Sequence, residues 1–197
     1  VLAAAGFRPG FVIGGDVNDT GTGAQWTGPG WLVVEADESD FTHLQLPLRG
    51  TILTNVDVDH LEHYGNFAAI VAGFERYLDQ VHGPRVLCID DEVCRQLADT
   101  RDVITYGTDP AAQFRAVDAR SHAGSWSFGV VHEGELLGRV ELPLRGIHNV
   151  RNATGVIAMA VTLGVPFATA AAALARFSGV ARRLDFRGRH GGATFVD

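Results

Sequence analysis

This sequence of 197 residues contains no lysine, and its sixteen positively charged residues are all arginine. A G-x-x-x-x-G-K-[ST] loop, in which backbone amides and a lysine hold nucleotide phosphates, therefore cannot occur within it. The formal net charge of -7 also argues against a nucleic-acid surface, which needs a basic stripe. An acidic domain that handles polyphosphates would need divalent cations.

Cysteine and long apolar runs are scarce as well. The two cysteines, Cys88 and Cys94, have a spacing that suits neither a disulfide framework nor a paired zinc site, so we expect reduced thiols. No apolar run reaches the roughly 18 to 20 residues that span a bilayer. The first ten residues also lack the basic start and cleavage pattern of an export signal. We therefore expect a cytoplasmic domain.

The first half of the sequence alternates strand and helix signals. Short, β-branched apolar runs bounded by turn or acidic residues are typical of buried parallel strands. Residues 66–81 carry apolar side chains at the i, i+3, i+4, i+7 spacing of an amphipathic helix, which indicates a right-handed parallel crossover between the strands beside it. The predicted strands lie at residues 11–13, 31–34, 51–53 and 85–89.

The second half has a different pattern. Residues 114–144 alternate apolar and polar side chains and turn at Glu133-Gly134, which predicts an antiparallel hairpin or three-stranded sub-sheet. The whole chain therefore predicts an α/β fold, with a mostly parallel sheet flanked by helices and a small antiparallel sub-sheet. Further helices are predicted at residues 91–98, 149–163 and 168–177, and residues 1–5 indicate the last turns of another.

Acidic residues follow two of the predicted strands. Ligands of open α/β sheets bind outside the carboxyl ends of the strands, and carboxylates there can hold Mg²⁺. A solvated acidic loop is the alternative for the first group, and a capping or packing role is the alternative for His60 alone. We expect the two strands to be adjacent, which favours a metal site formed by Glu35 and His60. Zinc on His60 and His63 is disfavoured, because the HExxH spacing and a third soft ligand are missing. The two groups are Glu35, Asp37, Glu38 and Asp40, and Asn55, Asp57, Asp59 and His60.

Two further polar groups lie near predicted helix ends. His148 and Asn149 follow a turn, and Asn149 is either a helix N-cap or an amide that reads the edge of a base such as adenine. Arg182 and Arg183 follow a helix, and such a pair can clamp phosphate oxygens or form a salt bridge with Asp185. The residues alone leave both pairs of alternatives open.

Four motifs occur in order along the chain. They are EADESD at 35–40, TNVDVDHLEHYG at 54–65, RGIHNVRNATG at 145–155 and FSGVARRLDFRG at 177–188. In this order and spacing they resemble the central domain of the Mur ligases, the ATP-dependent amide-forming enzymes of peptidoglycan synthesis. The resemblance covers nearly the whole chain and implies a P-loop NTPase-like fold. Ser39 makes the first motif most similar to the branch that adds L-alanine, because the tripeptide-recycling branch typically carries a bulky aromatic residue there.

The resemblance implies roles for individual residues. Glu35 would ligate a Mg²⁺ between the ATP phosphates, and His60 a second Mg²⁺ near an acyl phosphate. Asn149, with His148 beside it, would contact adenine. Arg183 would approach the terminal phosphate of ATP.

The resemblance also implies a substrate pocket and a domain order. Asp37 would face the muramoyl substrate, and Gly14 and Gly15 would shape the same pocket. Several Mur ligases steady the second metal with a carbamylated lysine, which a sequence without lysine excludes. The family's order places a P-loop and a UDP-binding domain before residue 1 and an amino-acid-binding domain after residue 197. Residues 1–197 are thus expected to be the central ATP-binding domain, cut near its start.

By resemblance, the parent enzyme joins L-alanine to UDP-N-acetylmuramate through an acyl phosphate. The expected cofactors are ATP and Mg²⁺, and the expected partners are these small molecules and the flanking domains, with no nucleic acid or membrane. One alternative is the ligase that recycles a UDP-N-acetylmuramate tripeptide. Another is a nucleotide-binding module without turnover, which we expect of the 197 residues alone. A Mg²⁺-dependent phosphohydrolase would leave Asn149 and Arg183 unexplained.

Overall fold

The computed structural model describes residues 1–36, 39, 42–58, 61–181 and 186–196. No helix in this described part is long and apolar enough to cross a membrane. The helices are α1 (Leu61–Tyr64), α2 (Phe67–Gln80), α3 (Glu92–Asp99), α4 (Ile147–Thr162) and α5 (Phe167–Ala175), with a 3₁₀ turn at Thr42–Gln45. The strands are β1 (Gly10–Val17), β2 (Thr22–Gln25), β3 (Leu32–Val34), β4 (Thr51–Leu53), β5 (Arg85–Cys88), β6 (Ile104–Gly107), β7 (Phe114–His122), β8 (Ser125–His132), β9 (Glu135–Leu142), β10 (Phe186–His190) and β11 (Ala193–Val196).

Six strands form the main sheet in the order β4-β5-β6-β7-β8-β9. The first four are parallel, and Val86 pairs with Ile104 in the register of β5 and β6. Strands β8 and β9 continue the sheet in antiparallel orientation. The predicted α/β fold is confirmed, and the predicted antiparallel sub-sheet is an extension of the parallel sheet.

Helices cover both faces of the main sheet. Successive side chains of a strand point to opposite faces, so one strand contributes to the packing on both sides. In β5, Val86 belongs to a buried cluster that includes Ile157 of α4, whereas Leu87 belongs to a second cluster that includes Ile70 of α2. The first cluster also takes in α5 and the second takes in α3. The chain therefore has two apolar layers, one on each side of the sheet.

The ends of α2 and α3 lie where the sequence predicts them. The Oδ1 atom of Asn66 accepts a hydrogen bond from the backbone N of Ala69 at 2.9 Å. Likewise, Oδ1 of Asp91 accepts from the backbone N of Cys94 at 2.8 Å. Each cap satisfies an amide that has no partner within the first helical turn.

A second sheet contains three strands in the order β2-β1-β3, and two predictions are wrong there. Leu32, Val33 and Val34 are 44%, 44% and 36% exposed, so β3 is not the buried strand that its apolar sequence predicts. Within the described residues, β3 and β4 are not neighbours either, since β3 pairs with β1 and β4 pairs with β5. An apolar run predicts a strand, but tertiary structure decides which other strand it pairs with.

The close approach of α4 to the sheet depends on Gly155. A Cβ atom at this position would lie 2.6 Å from Cζ of Tyr106, whose side chain has no exposed surface. The Tyr106 hydroxyl donates to the carbonyl oxygen of Leu53 at 3.5 Å. The ring thus lies between helix and sheet, and only a residue without a side chain fits above it.

We expect Gly155→Ala to lower the free energy of unfolding by about 1–2 kcal/mol. Overpacking typically costs about 1–3 kcal/mol, which exceeds the gain of about 1 kcal/mol in helix propensity. Chemical denaturation of the variant measures the change. Gly30→Ala is the matched control, because a Cβ at Gly30 would meet nothing within 4 Å. A variant at least as stable as the parent would show that Gly155 does not limit the approach of α4.

Candidate active site

Glu35 lies directly after β3, and β1 holds its carboxylate. The backbone N of Glu35 donates to the carbonyl oxygen of Val12 at 2.9 Å, which extends the parallel pairing by one residue. The backbone N of Gly14 then donates to Oε2 of Glu35 at 2.8 Å. Predicted site residues Gly14 and Glu35 are therefore brought together at the carboxyl end of β3.

Several predicted site residues lie outside the described part of the chain. They are Asp37, His60 and Arg183, together with Glu38, Asp40, Asp59, Arg182 and Asp185. The metal pair of Glu35 and His60 therefore stays a prediction. Among the described residues, no three His, Cys, Asp or Glu side chains form a group that could hold a metal ion.

The strand end at β4 also carries polar side chains. Thr54 donates to Oδ1 of Asn55 at 3.1 Å, and the backbone N of Val58 donates to Oδ1 of Asp57 at 2.7 Å. Asn55 and Asp57 are both exposed. Their oxygen atoms are therefore accessible at the edge of the sheet where the sequence predicts a ligand.

A cavity at this edge has a volume of about 800 Å³ and is called the α4 cleft below. Predicted site residues His148 and Asn149 both line it, on the first turn of α4. The β7–β8 turn, the segment after β9 and the segment after α5 form its other walls. The α4 cleft is lined by residues 123–125, 143–145, 148, 149, 152 and 177–180.

The N-cap alternative for Asn149 is wrong. Helix α4 begins two residues earlier, with Gly146 as N-cap at φ 89°, a conformation that favours glycine. The Nδ2 atom of Asn149 donates to the carbonyl oxygen of Arg145 at 2.7 Å and lies 3.2 Å from Nε2 of His148. Because a carbonyl oxygen can only accept, the amide turns its NH₂ group toward Arg145 and keeps Oδ1 as an acceptor.

Asn152 is a candidate site residue that the motif reasoning missed. It lies three residues after Asn149 and four after His148, so all three share one face of α4. Asn152 lines the α4 cleft and also a smaller cavity beside it. An exposed asparagine at this spacing, in a helix that is otherwise rich in buried residues, is the signal that could have identified it.

The smaller cavity, of about 200 Å³, lies beside the α4 cleft at the ends of β4 and β5. Asn55 follows β4, Asp90 follows β5, and Arg151 and Asn152 lie on α4. His148 and Asn152 line both cavities. The polar end of α4 and the carboxyl ends of the parallel strands therefore border one continuous region.

Asp90 links three parts of the fold in this region. Its carboxylate accepts hydrogen bonds from the backbone N of Thr108 at 2.9 and 3.0 Å, from the Thr108 hydroxyl at 2.8 Å and from the backbone N of Asp109 at 2.9 Å. It also lies 2.9 Å from Nε of Arg151, and its side chain is only 7% exposed. The turn after β6 and the first part of α4 are thereby tied to the end of β5.

Cys88 lines the smaller cavity but is poorly suited to chemistry there. Both cysteines are buried free thiols, as predicted. Burial raises the pKa of Cys88 above its ordinary value, which keeps the thiol protonated and weakly nucleophilic at neutral pH.

Strand β1 also holds the segment that follows α5. The backbone N of Ala181 donates to the carbonyl oxygen of Asp16 at 2.8 Å, and Val17 forms a β-bridge with Val180. A Cβ at Gly15 would lie 2.6 Å from Cγ1 of Val180. Gly14 thus contacts Glu35, and its neighbour Gly15 lets the chain that leads toward Arg183 pack against the same strand.

Comparisons with known proteins agree with this architecture. A family model described as Mur ligase middle domain matches residues 29–160. UDP-N-acetylmuramate–L-alanine ligase of Methylorubrum extorquens (strain PA1) is 40% identical over all of this chain and 44% of its own length. The chain therefore spans less than half the length of this curated relative.

Two solved structures extend the comparison. UDP-N-acetylmuramate-alanine ligase of Thermotoga maritima has a TM-score of 0.84 and 27% identity, over 96% of this chain and 43% of that one. UDP-N-acetylmuramate:L-alanyl-gamma-D-glutamyl-meso-diaminopimelate ligase of Neisseria meningitides has a TM-score of 0.77 and 30% identity, over 92% of this chain and 61% of that one. The described fold is thus similar to both.

We expect Gly15→Ala to reduce stability by about 1–3 kcal/mol, because the new methyl group overlaps Cγ1 of Val180. The double variant Gly15→Ala/Val180→Ala should recover part of this loss, which a double-mutant cycle measures by denaturation. Gly30→Ala again serves as control. Additive effects of the two substitutions would contradict a direct contact between Gly15 and Val180.

We expect Asp90→Asn to lower the free energy of unfolding by about 2–3 kcal/mol, because hydrogen bonds to a charged acceptor are lost and Arg151 loses its counter-ion. Asp102→Asn, at an exposed aspartate, should stay within about 0.5 kcal/mol. Urea denaturation of both variants tests this. Equal effects would show that the Asp90 network adds nothing to stability.

Proposed function

Because this chain belongs to the Mur ligase family, we propose that it is the central ATP-binding domain of a ligase that adds L-alanine to UDP-N-acetylmuramate in peptidoglycan synthesis. The observation that carries the proposal is the 40% identity, over the whole chain, with a ligase of that name. In the proposal, the remaining length of the protein supplies a P-loop, a UDP-binding domain and an amino-acid-binding domain.

The α4 cleft is the proposed site for the nucleoside of ATP. Its volume of about 800 Å³ is within the range of small-molecule sites, roughly 300–1,000 Å³. Oδ1 of Asn149 offers an acceptor to an amino group on a base edge, and the Asn152 amide offers both a donor and an acceptor. His148, whose Nε2 lies 3.2 Å from the Asn149 amide, supports the orientation of that amide.

The carboxyl ends of β3 and β4 are the proposed magnesium and phosphate region. Carboxylate and amide oxygens, such as those of Glu35, Asn55 and Asp57, are the hard donors that Mg²⁺ prefers. Glu35 and His60 are the proposed ligands. Bound Mg²⁺ would offset the negative charge of the triphosphate and of the substrate carboxylate.

The proposed reaction has two displacement steps. An oxygen of the muramoyl carboxylate attacks the γ-phosphorus of ATP, the bond to the β-phosphate oxygen breaks, and ADP leaves. The amine nitrogen of L-alanine then attacks the acyl carbon, phosphate leaves with the bonding electrons, and the nitrogen loses its extra proton to solvent. An amide bond is the product.

The residues of this chain serve mainly to hold charged reactants together. Two like charges 4 Å apart repel by about 4 kcal/mol at an effective dielectric constant near 20. In the proposal, Arg183 contacts the terminal phosphate and Asp37 faces the muramoyl group, while Asn149 holds the nucleoside. Positioning of the two reactants supplies the rest of the rate enhancement.

A second candidate function is the recycling of a UDP-N-acetylmuramate tripeptide. It is favoured by the 30% identity and TM-score of 0.77 with the ligase of Neisseria meningitides. The two candidates share the ATP chemistry and differ in the amine-bearing substrate, so one experiment separates them.

That experiment measures phosphate release by the intact protein that contains this chain. Release that requires ATP, UDP-N-acetylmuramate and L-alanine together supports the proposed function. Release with the tripeptide but not with L-alanine would support the recycling ligase. Release that is indifferent to any amino compound would contradict both ligases.

We expect Glu35→Gln in the intact protein to lower kcat by about 100-fold or more, because a charge that stabilises the transition state is lost. His60→Ala should have a similar effect. Glu75→Gln, at an exposed position on α2, is the control and should leave kcat unchanged. Phosphate release at several Mg²⁺ concentrations provides the measurement, and unchanged kcat in the first two variants would contradict the metal assignment.

A further inference from the structure

The guanidinium group of Arg145 lies flat against Gly124 at the mouth of the α4 cleft. A Cβ atom at Gly124 would lie 3.0 Å from Cζ, 3.1 Å from Nη2 and 3.3 Å from Nε of Arg145. Three atoms of a planar group that are almost equally distant from one point present their face to that point. One face of the guanidinium therefore points toward Gly124.

This contact requires the shape of the β7–β8 turn. Ala123 and Gly124 connect His122 and Ser125, which pair across the hairpin, and both have positive φ, 49° and 87°. Two positive φ values in a two-residue turn match the twist of the strands. Because Gly124 has no side chain, the turn offers a flat surface on which the guanidinium can rest.

The backbone of Arg145 is also held in place. The carbonyl oxygen of Arg145 accepts the hydrogen bond from Nδ2 of Asn149 at 2.7 Å. Arg145 and Asn149 therefore share one turn and line the same cleft. Among the described residues, Arg145 forms no ion pair, so its charge is not committed to a carboxylate there.

We propose that Arg145 stacks its guanidinium on the nucleobase in the α4 cleft and so determines the preference of this protein for purine nucleotides. The inference rests on the proposed function, in which the cleft holds the nucleoside of ATP. A planar guanidinium stacks on aromatic rings through dispersion and cation–π attraction. With one face resting on Gly124, the group offers its other face to a flat ligand, and a purine covers more of that face than a pyrimidine does.

The role differs from that of a phosphate-binding arginine. A contact with phosphate depends on positive charge and on N–H donors, both of which a lysine side chain can partly supply. A stacking contact depends on the flat guanidinium group, which lysine lacks. The two roles therefore predict different responses to the same substitutions.

The test measures binding of ATP, ADP, CDP and inorganic tripolyphosphate to the intact protein by titration calorimetry. Arg145→Ala and Arg145→Lys should both weaken ADP binding about 5- to 50-fold, in line with the usual loss of a base-stacking partner. They should weaken CDP binding less and leave tripolyphosphate binding unchanged. Arg139→Ala is the matched control, because Arg139 is an exposed arginine on the neighbouring strand β9 whose Nη2 donates to Ser127.

Gly124→Ala provides a second variant, in which residue 145 is still arginine. The added methyl group would lie 3.0 Å from Cζ of Arg145, so the guanidinium must shift, and ADP binding should weaken while tripolyphosphate binding is retained. Thermal unfolding shows whether this variant is folded. If it is not, the comparison of Arg145→Ala with Arg145→Lys still decides the question.

Four outcomes would overturn the inference. Equal weakening of ADP and tripolyphosphate would make Arg145 a phosphate contact, and full ADP affinity in Arg145→Lys would mean that charge is sufficient. Unchanged ADP binding in Arg145→Ala, with weaker binding in Asn149→Ala, would reject the role of Arg145 but leave the proposed nucleoside site intact. If neither Arg145→Ala nor Asn149→Ala changes ADP binding, the nucleoside site itself is wrong.

Discussion

The buried carboxylate of Asp90 holds the edge of the sheet on which the candidate site depends. It collects the amides after β6 and the guanidinium of Arg151 at the end of β5. A charge in such a place is tolerated because donors surround it, and loss of the carboxylate would leave those donors unsatisfied. Through its 2.9 Å contact with Nε of Arg151, the same carboxylate also meets the part of α4 that carries Asn149 and Asn152. The strand ends and the helix can therefore act as one rigid support.

Small residues complete this support at the points where elements meet. Gly155 allows α4 to lie against the ring of Tyr106, and Gly15 allows the segment after α5 to lie against β1. Gly124 provides the surface for Arg145. In each case a side chain would occupy space that a neighbour already fills, so close packing rather than backbone freedom explains the glycines at 15 and 155. Two of these contacts involve residues that line the α4 cleft, Gly124 with Arg145 and Val180.

Much of the local structure could be predicted because its causes are local. The apolar period of α2 and the caps Asn66 and Asp91 depend on residues within one or two turns. The antiparallel extension was predictable from alternation and from the turn at Glu133-Gly134. The exposure of β3 was not predictable, since the exposure of a strand depends on what packs against it. Asn149 was predicted as a site residue, but its N-cap alternative was wrong because Gly146 starts the helix earlier.

By itself, the sequence determined the order of the four motifs, the α/β class and the exclusion of a lysine-based phosphate loop within these 197 residues, since these follow from residue identity and spacing. Tertiary structure alone decided which groups meet: Gly14 with Glu35, Asp90 with Arg151, and Arg145 with Gly124. The partners in each pair are far apart in the chain, and many alternative partners are chemically equivalent. Strand pairing and helix packing select among those alternatives, because each fixes distances that residue identity leaves open.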